Sequence, residues 1–148
     1  MKSSGRREII TVVNKTIQIS THGESDIIDI TSLVSQVVHE SGISNGSVTV
    51  FIPGSTAGIT TIEYEDGVLH DFQGMWDRNV PRNITYQHDR RWGDGNGYSH
   101  VRASLLGASL VVPIMNKRMT LGTWQQIVVV DFDNRPRSRE IIIQIMGE

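Results

Sequence analysis

The chain has 148 residues, 38% of them hydrophobic, enough for one domain with one substantial core. Its 14 Lys and Arg against 16 Asp and Glu leave a formal net charge of −2, which argues against general binding to nucleic acid or to an anionic membrane, since both need a dense basic surface. There is no cysteine, so disulfides and thiolate metal sites are excluded, and histidine, carboxylate, amide and backbone oxygen remain as metal donors.

No long apolar run suggests a membrane span, and Met1 to Arg7 lacks the apolar core of a signal peptide. The expectation is a soluble, cytoplasmic protein: one domain over residues 1–148, with 1–7 a flexible start. Glu8 to Ser20, rich in β-branched residues, predicts two strands or one long strand broken near Asn14-Lys15. Ile30, Leu33, Val34, Val37 and Val38 recur at helical spacing. Asp29 or Thr31 can cap that helix, and Gly42 stands where a glycine often ends one. His39 closes the same helix, where a cation favours the dipole.

Val48 to Ile52 predicts a strand stopped by Pro53-Gly54, and Ile59 to Tyr64 a second, with Asp66-Gly67 turning the chain. Val68, Leu69, Phe72, Met75 and Trp76 show helical spacing that ends before Pro81. Tyr98 to Leu106 predicts a short helix, while Leu110 to Ile114, Gln126 to Phe132 and Glu140 to Met146 predict strands. Several strands with two or three helices and no regular β-α-β alternation predict an α+β fold, a compact domain on a largely antiparallel sheet or sandwich.

Chemistry-bearing residues concentrate between His88 and His100, where Gly93, Gly95 and Gly97 alternate with Asp94 and Asn96. Such a backbone bends tightly and approaches a ligand closely. Imidazole is a common metal ligand and the side chain most easily tuned for proton transfer near neutrality. The pair lacks the spacing that puts two ligands on one helical face, and a surface histidine plus a helix-capping one fits the pattern as well. Asp94 and Asn96 offer oxygen ligands or hydrogen bonds, though Asp-Gly and Asn-Gly also favour plain turns. Followed by a helix, the segment resembles an anion cradle without a Walker or Rossmann fingerprint.

Glu63 shares a strand face with Thr61. Turned to the core it needs a cation or metal; turned outward it is merely solvated. Gly122 and Thr123 can offer backbone amides to a phosphate, Gln125 can bond a heterocycle edge, and Trp124 can stack on a flat ring or join the core. Arg135, Arg137 and Arg139 flank Pro136; guanidinium groups match phosphate oxygens in a bidentate fork, and equally serve a solvated turn or a subunit contact.

Taken in order, the run from Phe51 to Thr60, then Glu63, Tyr86-x-His88, Gly95 to His100, Ala103 to Gly107, Leu121 to Gln125 and Arg135 to Arg139 resembles the YjbQ family, whose members are often labelled secondary thiamine-phosphate synthases. Pro136 interrupts the arginine run, and Gly97-Tyr98 stands where smaller residues are usual. The resemblance implies a compact α+β fold that assembles as a homotrimer with clefts near subunit boundaries. It implies a polar pocket of His88, Asn96 and His100 with Glu63 and Gln125 as neighbours. The implied activity joins a hydroxymethylpyrimidine diphosphate to a thiazole phosphate with release of diphosphate. Ser104, Gly122, Thr123, Trp124, Arg137 and Arg139 would then bind the phosphorylated substrate. A divalent ion on His88 and His100 would be zinc by the imidazoles, or magnesium if diphosphate is the substrate. Two alternatives share the pocket: a metal-dependent hydrolase of a small polar substrate, with Glu63 as third ligand or base, and a non-enzymatic trimer that binds a metabolite or metal.

Overall fold

A computed structural model describes residues 9–148, so the expected flexible start at 1–7 lies outside the described residues. Five strands form one antiparallel sheet: β1 (Thr11–Thr21), β3 (Gly46–Phe51), β5 (Ser109–Met115), β6 (Arg118–Met119) and β8 (Arg137–Gly147), in the order β1-β8-β3-β5-β6. A second antiparallel sheet has the order β2-β7-β4, built from β2 (Asp26–Asp29), β4 (Ala57–Ile62) and β7 (Gln126–Asp131). Four helices complete the described chain: α1 (Thr31–Ser41), α2 (Asp66–Asn79), α3 (Gln87–Trp92) and α4 (Gly97–Leu106). The fold is α+β as expected, with four helices rather than two or three.

Strict alternation places the core. Ile141, Ile143 and Ile145 of β8 and Val48 and Val50 of β3 turn inward, where Ile30, Val34, Val37 and Val38 and then Ile127 and Val129 of β7 meet them. β7 reads as an unbroken apolar run because both its faces are buried. Val128 and Val130 point the other way, with Phe132 just beyond, into a second core beneath α2 and α4 that also holds Trp76, Tyr98 and Ala103. Each fully buried Val or Ile contributes about 1.5–3 kcal/mol of transfer free energy, so these two layers supply most of the driving force.

Local signals competed with this register, and register won at one place. Asn14-Lys15 does not break the first strand: β1 pairs with β8 along its full length, with Asn14 opposite Gln144 and their side chains bonded at 2.9 Å. The expected turn at Asp66-Gly67 is instead the start of α2, because the Glu65 carboxylate accepts from the Gly67 and Val68 amides and caps a helix there. At α1 the N-cap position falls on Ile30, between the two residues expected to cap, and carries no side-chain cap; Asp29 accepts from the Thr31 amide and hydroxyl, and the Thr31 hydroxyl in turn accepts from the Ile127 amide, pinning the helix to β7. Gly42 ends α1 at φ 72°, in the left-handed region.

Among the described residues nothing covers the outer face of the larger sheet. Val12, Met146, Ser47 and Pro113 form one cross-strand row on it. Phe51, Val111 and Met115 also stand exposed on this face. Among the described residues no helix is long and apolar enough to cross a membrane.

Ile143 is fully buried where β8 lies between β1 and β3. Ile143→Ala is expected to lower stability by about 2–5 kcal/mol, read as a reduced urea midpoint with an unchanged slope. A loss below about 1 kcal/mol would contradict a fully packed position.

Candidate functional site

The site is built outward from the end of β7, where the apolar run gives way to Asp131-Phe132-Asp133. Both carboxylates are fully buried. An unpaired buried carboxylate is costly, and here the cost is met by two arginines and two hydroxyls. Arg139 grips Asp131 in a fork, Nε to Oδ2 at 2.7 Å and Nη2 to Oδ1 at 2.9 Å. Its Nη2 also donates to the Thr56 hydroxyl, which donates to Asp133 at 2.9 Å. Arg137 Nε donates to Asp133 at 3.0 Å, and the Thr21 hydroxyl donates to Asp131 at 2.6 Å. Burial alone pushes the Asp133 carboxyl up. Hydrogen bonds from Thr56 and Arg137, the charge of Arg137 and the Asn96 amide together outweigh it and hold the carboxyl below its ordinary value.

Through Asn96 this frame fixes the glycine-rich loop. Asn96 is buried, and its Oδ1 accepts from the Asn134 amide at 3.2 Å and faces the Ser99 hydroxyl at 2.5 Å. α3 ends at Gly93 and the chain turns again at Gly95, both at φ 65°. Gly97 starts α4 against the Tyr86 ring; a Cβ there would lie 2.5 Å from Tyr86 Cβ, so only glycine fits. The Gly97 amide donates to Asp89 Oδ1 at 2.8 Å, tying α4 back to α3.

That closure brings His88 of α3 and His100 of α4 together, with ring centroids 4.4 Å apart and planes tilted by 39°. His88 Nδ1 lies 3.4 Å from Asp89 Oδ1 and 3.4 Å from Asp94 Oδ1. One donor atom from each of His88, Asp89 and Asp94 falls within 4.8 Å of the others, a set able to hold a divalent ion. His100 also borders a cavity of about 360 Å³ with Gly54, Ser55, Ala103 and Ser104. Arg139 Nη1 approaches the same Gly54, within 3.1 Å of where its Cβ would be. The Ser104 hydroxyl lines this cavity while donating to the His100 carbonyl at 2.8 Å.

The other expected residues lie elsewhere. Ala57 pairs with Asp131 and Ile62 with Gln126, so Glu63 and Gln125 sit at the far end of the β4–β7 ladder from the carboxylate frame. Five residue rises put the two ends about 17 Å apart. Glu63 is exposed there. Gln125 Oε1 accepts from the Gly122 amide at 3.1 Å, and its Nε2 donates to the Thr61 hydroxyl at 3.3 Å. Thr123 stands exposed in that turn, and Trp124, 71% exposed, belongs to no core. One chain therefore sets His100 and Ser104 on one cavity, with His88 stacked against His100 on its own side and Asn96 buried at the start of the same helix, and keeps Glu63 and the residues of 122–125 in a second cluster. Arg137 and Arg139 face carboxylates of their own chain; Arg139 is nearly buried, with Nε and Nη2 both bonded, while the half-buried Arg137 bonds through Nε alone.

Sequence reasoning missed Asp89, Asp131 and Asp133. The signal for the last two was present: carboxylates at alternate positions closing a strand too apolar to be solvated. It also missed Arg102, fully buried, whose guanidinium donates to the Val80 carbonyl, the Ser25 hydroxyl and Asp77 beneath α4.

Two antiparallel sheets around one core, helices over a second, and a histidine–carboxylate cluster between two short helices define a single-domain α+β protein with a polar pocket at the end of its smaller sheet. The family model described as "UPF0047 protein YjbQ-like" matches residues 15–148. The chain belongs to the YjbQ/UPF0047 family. It is 40% identical over 137 residues to a UPF0047 protein of Methanothermobacter thermautotrophicus, covering 93% of this chain and 94% of that one. It is 38% identical over 135 residues to the UPF0047 protein YugU of Bacillus subtilis, covering 90% and 98%. A YbjQ-like protein from Sulfolobus solfataricus P2 superposes with a TM-score of 0.89 at 33% identity, covering 95% of this chain and 100% of that one.

The depressed Asp133 carboxyl has a signed consequence. Its contribution is fully present above the unfolded carboxylate range, near pH 4, and is lost as pH falls through the folded value. Asp133→Asn is expected to lower stability at neutral pH, and the gap to the parent should shrink on acidification below about pH 4. Urea melts across that range check this; a gap that stays constant would contradict the assignment.

Proposed function

We propose that the chain is a transferase of the thiamine-phosphate synthase type, joining a hydroxymethylpyrimidine diphosphate to a thiazole phosphate. The observation that carries the reading is the apposition of His88 and His100 beside the carboxylates of Asp89 and Asp94, with His100 and Ser104 lining a cavity whose Gly54 is approached by Arg139. The family resemblance supplies the substrate class.

In this reaction the thiazole nitrogen attacks the methylene carbon, the carbon–oxygen bond to diphosphate breaks, and the departing diphosphate takes the electron pair. The catalytic demand is to hold two flat rings together and to stabilise charge on the leaving group. His100 and Arg139 Nη1, which lies against Gly54 of the cavity lining, would donate hydrogen bonds to diphosphate oxygens. Ser104 would orient the substrate within the cavity. The donor set fits a divalent ion, and with two carboxylates beside one imidazole it suits magnesium or manganese as well as zinc. When bound, such an ion neutralises charge on the diphosphate. His88, Asp89 and Asp94 would hold it, with Asp89 fixed in place by the Gly97 amide.

The same cluster favours a second reading, a metal-dependent hydrolase of a small phosphorylated substrate. Asp89 and Asp94 would then take the part first expected of Glu63, which lies at the other end of the ladder.

We further propose the homotrimer that the resemblance implies, with a second copy covering the outer face of the larger sheet. The exposed row of Val12, Phe51, Val111, Met115 and Met146 supports this. The trimer would also offer Glu63 and the 122–125 turn of one copy to the pocket of another.

His100→Ala is expected to lower turnover by about 10²–10⁴-fold with the assembly intact, and His88→Ala to lower both turnover and divalent-ion affinity. Product formation from the two precursors, measured beside release of inorganic phosphate from simple phosphate esters, separates transferase from hydrolase. Full activity in the His88→Ala variant overturns both; ligand-dependent thermal stabilisation without any product identifies a binding protein instead. Val111→Lys should shift the mass measured by light scattering from trimer toward monomer, and an unchanged trimer would move the interface elsewhere.

A further inference from the structure

A second cavity lies away from the histidine pocket and shares no residue with it. It is a groove of about 720 Å³ between α1 and the hairpin that joins β5 to β6. Thr31, Ser35 and His39 recur every four residues along α1, and with Gln36 they present one polar helix face to the groove. Asn116, Lys117 and Arg118 close it from the hairpin, with Met119 and Leu121 as an apolar floor.

Charge distinguishes this groove from an ordinary surface furrow. Lys117, Arg118 and the titratable His39 line it, and no carboxylate does. Neither Lys117 nor Arg118 forms an ion pair among the described residues. The acids at the two ends of α1 are engaged: Asp29 holds the Thr31 amide and hydroxyl, and Glu40 holds the Gln36 side-chain amide. Glu148 lies behind the hairpin, one hydrogen-bonded step away through Ser44 and Asn45, and does not line the groove. In a chain of net charge −2, such an unneutralised cationic lining is not a by-product of a basic surface. The carboxyl-terminal dipole of α1 opposes an anion near His39, so the hairpin cations must outweigh it.

The hairpin adds a second observation. Met115 pairs with Arg118 across a two-residue turn in which Asn116 has φ 51° and Lys117 φ 66°. Such turns favour Asn followed by Gly, because the second position is left-handed. Lysine there carries backbone strain that glycine would relieve, and it delivers an ammonium group to the groove.

We propose that this groove is a second binding site, for a small metabolite carrying a phosphate or diphosphate group. The Arg118 guanidinium and Lys117 ammonium take the anion. Ser35, Gln36 and Asn116 bond its polar edges, and Met119 and Leu121 receive its apolar part.

The test is an amide NMR titration of the full-length protein with inorganic diphosphate at constant ionic strength. Saturable shifts are expected at residues 31–39 and 116–121. Lys117→Gly with Arg118→Ala should weaken them by at least about tenfold while leaving any shifts at residues 93–100 unchanged, which separates this site from the histidine pocket. Lys117→Gly alone should raise the thermal midpoint and still weaken the groove's affinity, showing that the lysine is kept for binding rather than for folding. Groove amides that do not move, affinity unchanged in the double variant, or equal shifts with chloride at matched ionic strength would each overturn the proposal.

Discussion

Asp131 and Asp133 leave β7 with both carboxylates shut off from water, a position tolerated only where cations and donors surround them. Arg139 and Arg137 from β8, Thr21 from β1 and Thr56 ahead of β4 provide that surround. The cluster therefore joins strands of both sheets at one end of the sandwich. Removing one partner of a buried pair typically costs about 3–5 kcal/mol because the other charge is left stranded, so the cluster behaves as a unit. Hydrophobic burial forms the layers, and this polar frame fixes how their ends meet.

The candidate site inherits its geometry from that frame. Asn96 and Ser99 bond to the backbone of Phe132 and Asn134, so the start of α4 is held to the strand end by buried contacts. Asp89 then draws α3 onto α4 through the Gly97 amide, and the two imidazoles meet at a tilt. Asn96 is thus a positioning residue in this chain, and the groups open to a ligand are His88, His100, Asp94 and the half-buried Arg137. This order of dependence explains the close spacing of glycine and polar side chains: the glycines let the loop turn, and the polar groups anchor it.

Much of the fold was legible because long elements carry long patterns. The inward isoleucines of β8 and the apolar stripe of α1 each have one consistent reading. β2 and β6 are too short for any period to appear, and α3 buries no residue that could announce it. Asp66-Gly67 misled because its turn chemistry is genuine, but the preceding Glu65 offered its amides a helix cap. The site was half legible. Histidine and glycine marked the loop, while the pairing of Arg139 with Asp131 depends on strand register that no local window contains. Register likewise separates Glu63 and Gln125 from His100 within one chain, where the sequence resemblance implies neighbours.

The proposed function rests on His88, Asp89 and Asp94 being able to hold a divalent ion together. Anomalous diffraction from crystals of the protein grown with manganese tests it most directly. The account predicts a single strong peak per chain, within coordinating distance of all three side chains and next to the His100 ring. A peak on other residues, or none at saturating manganese, would contradict it.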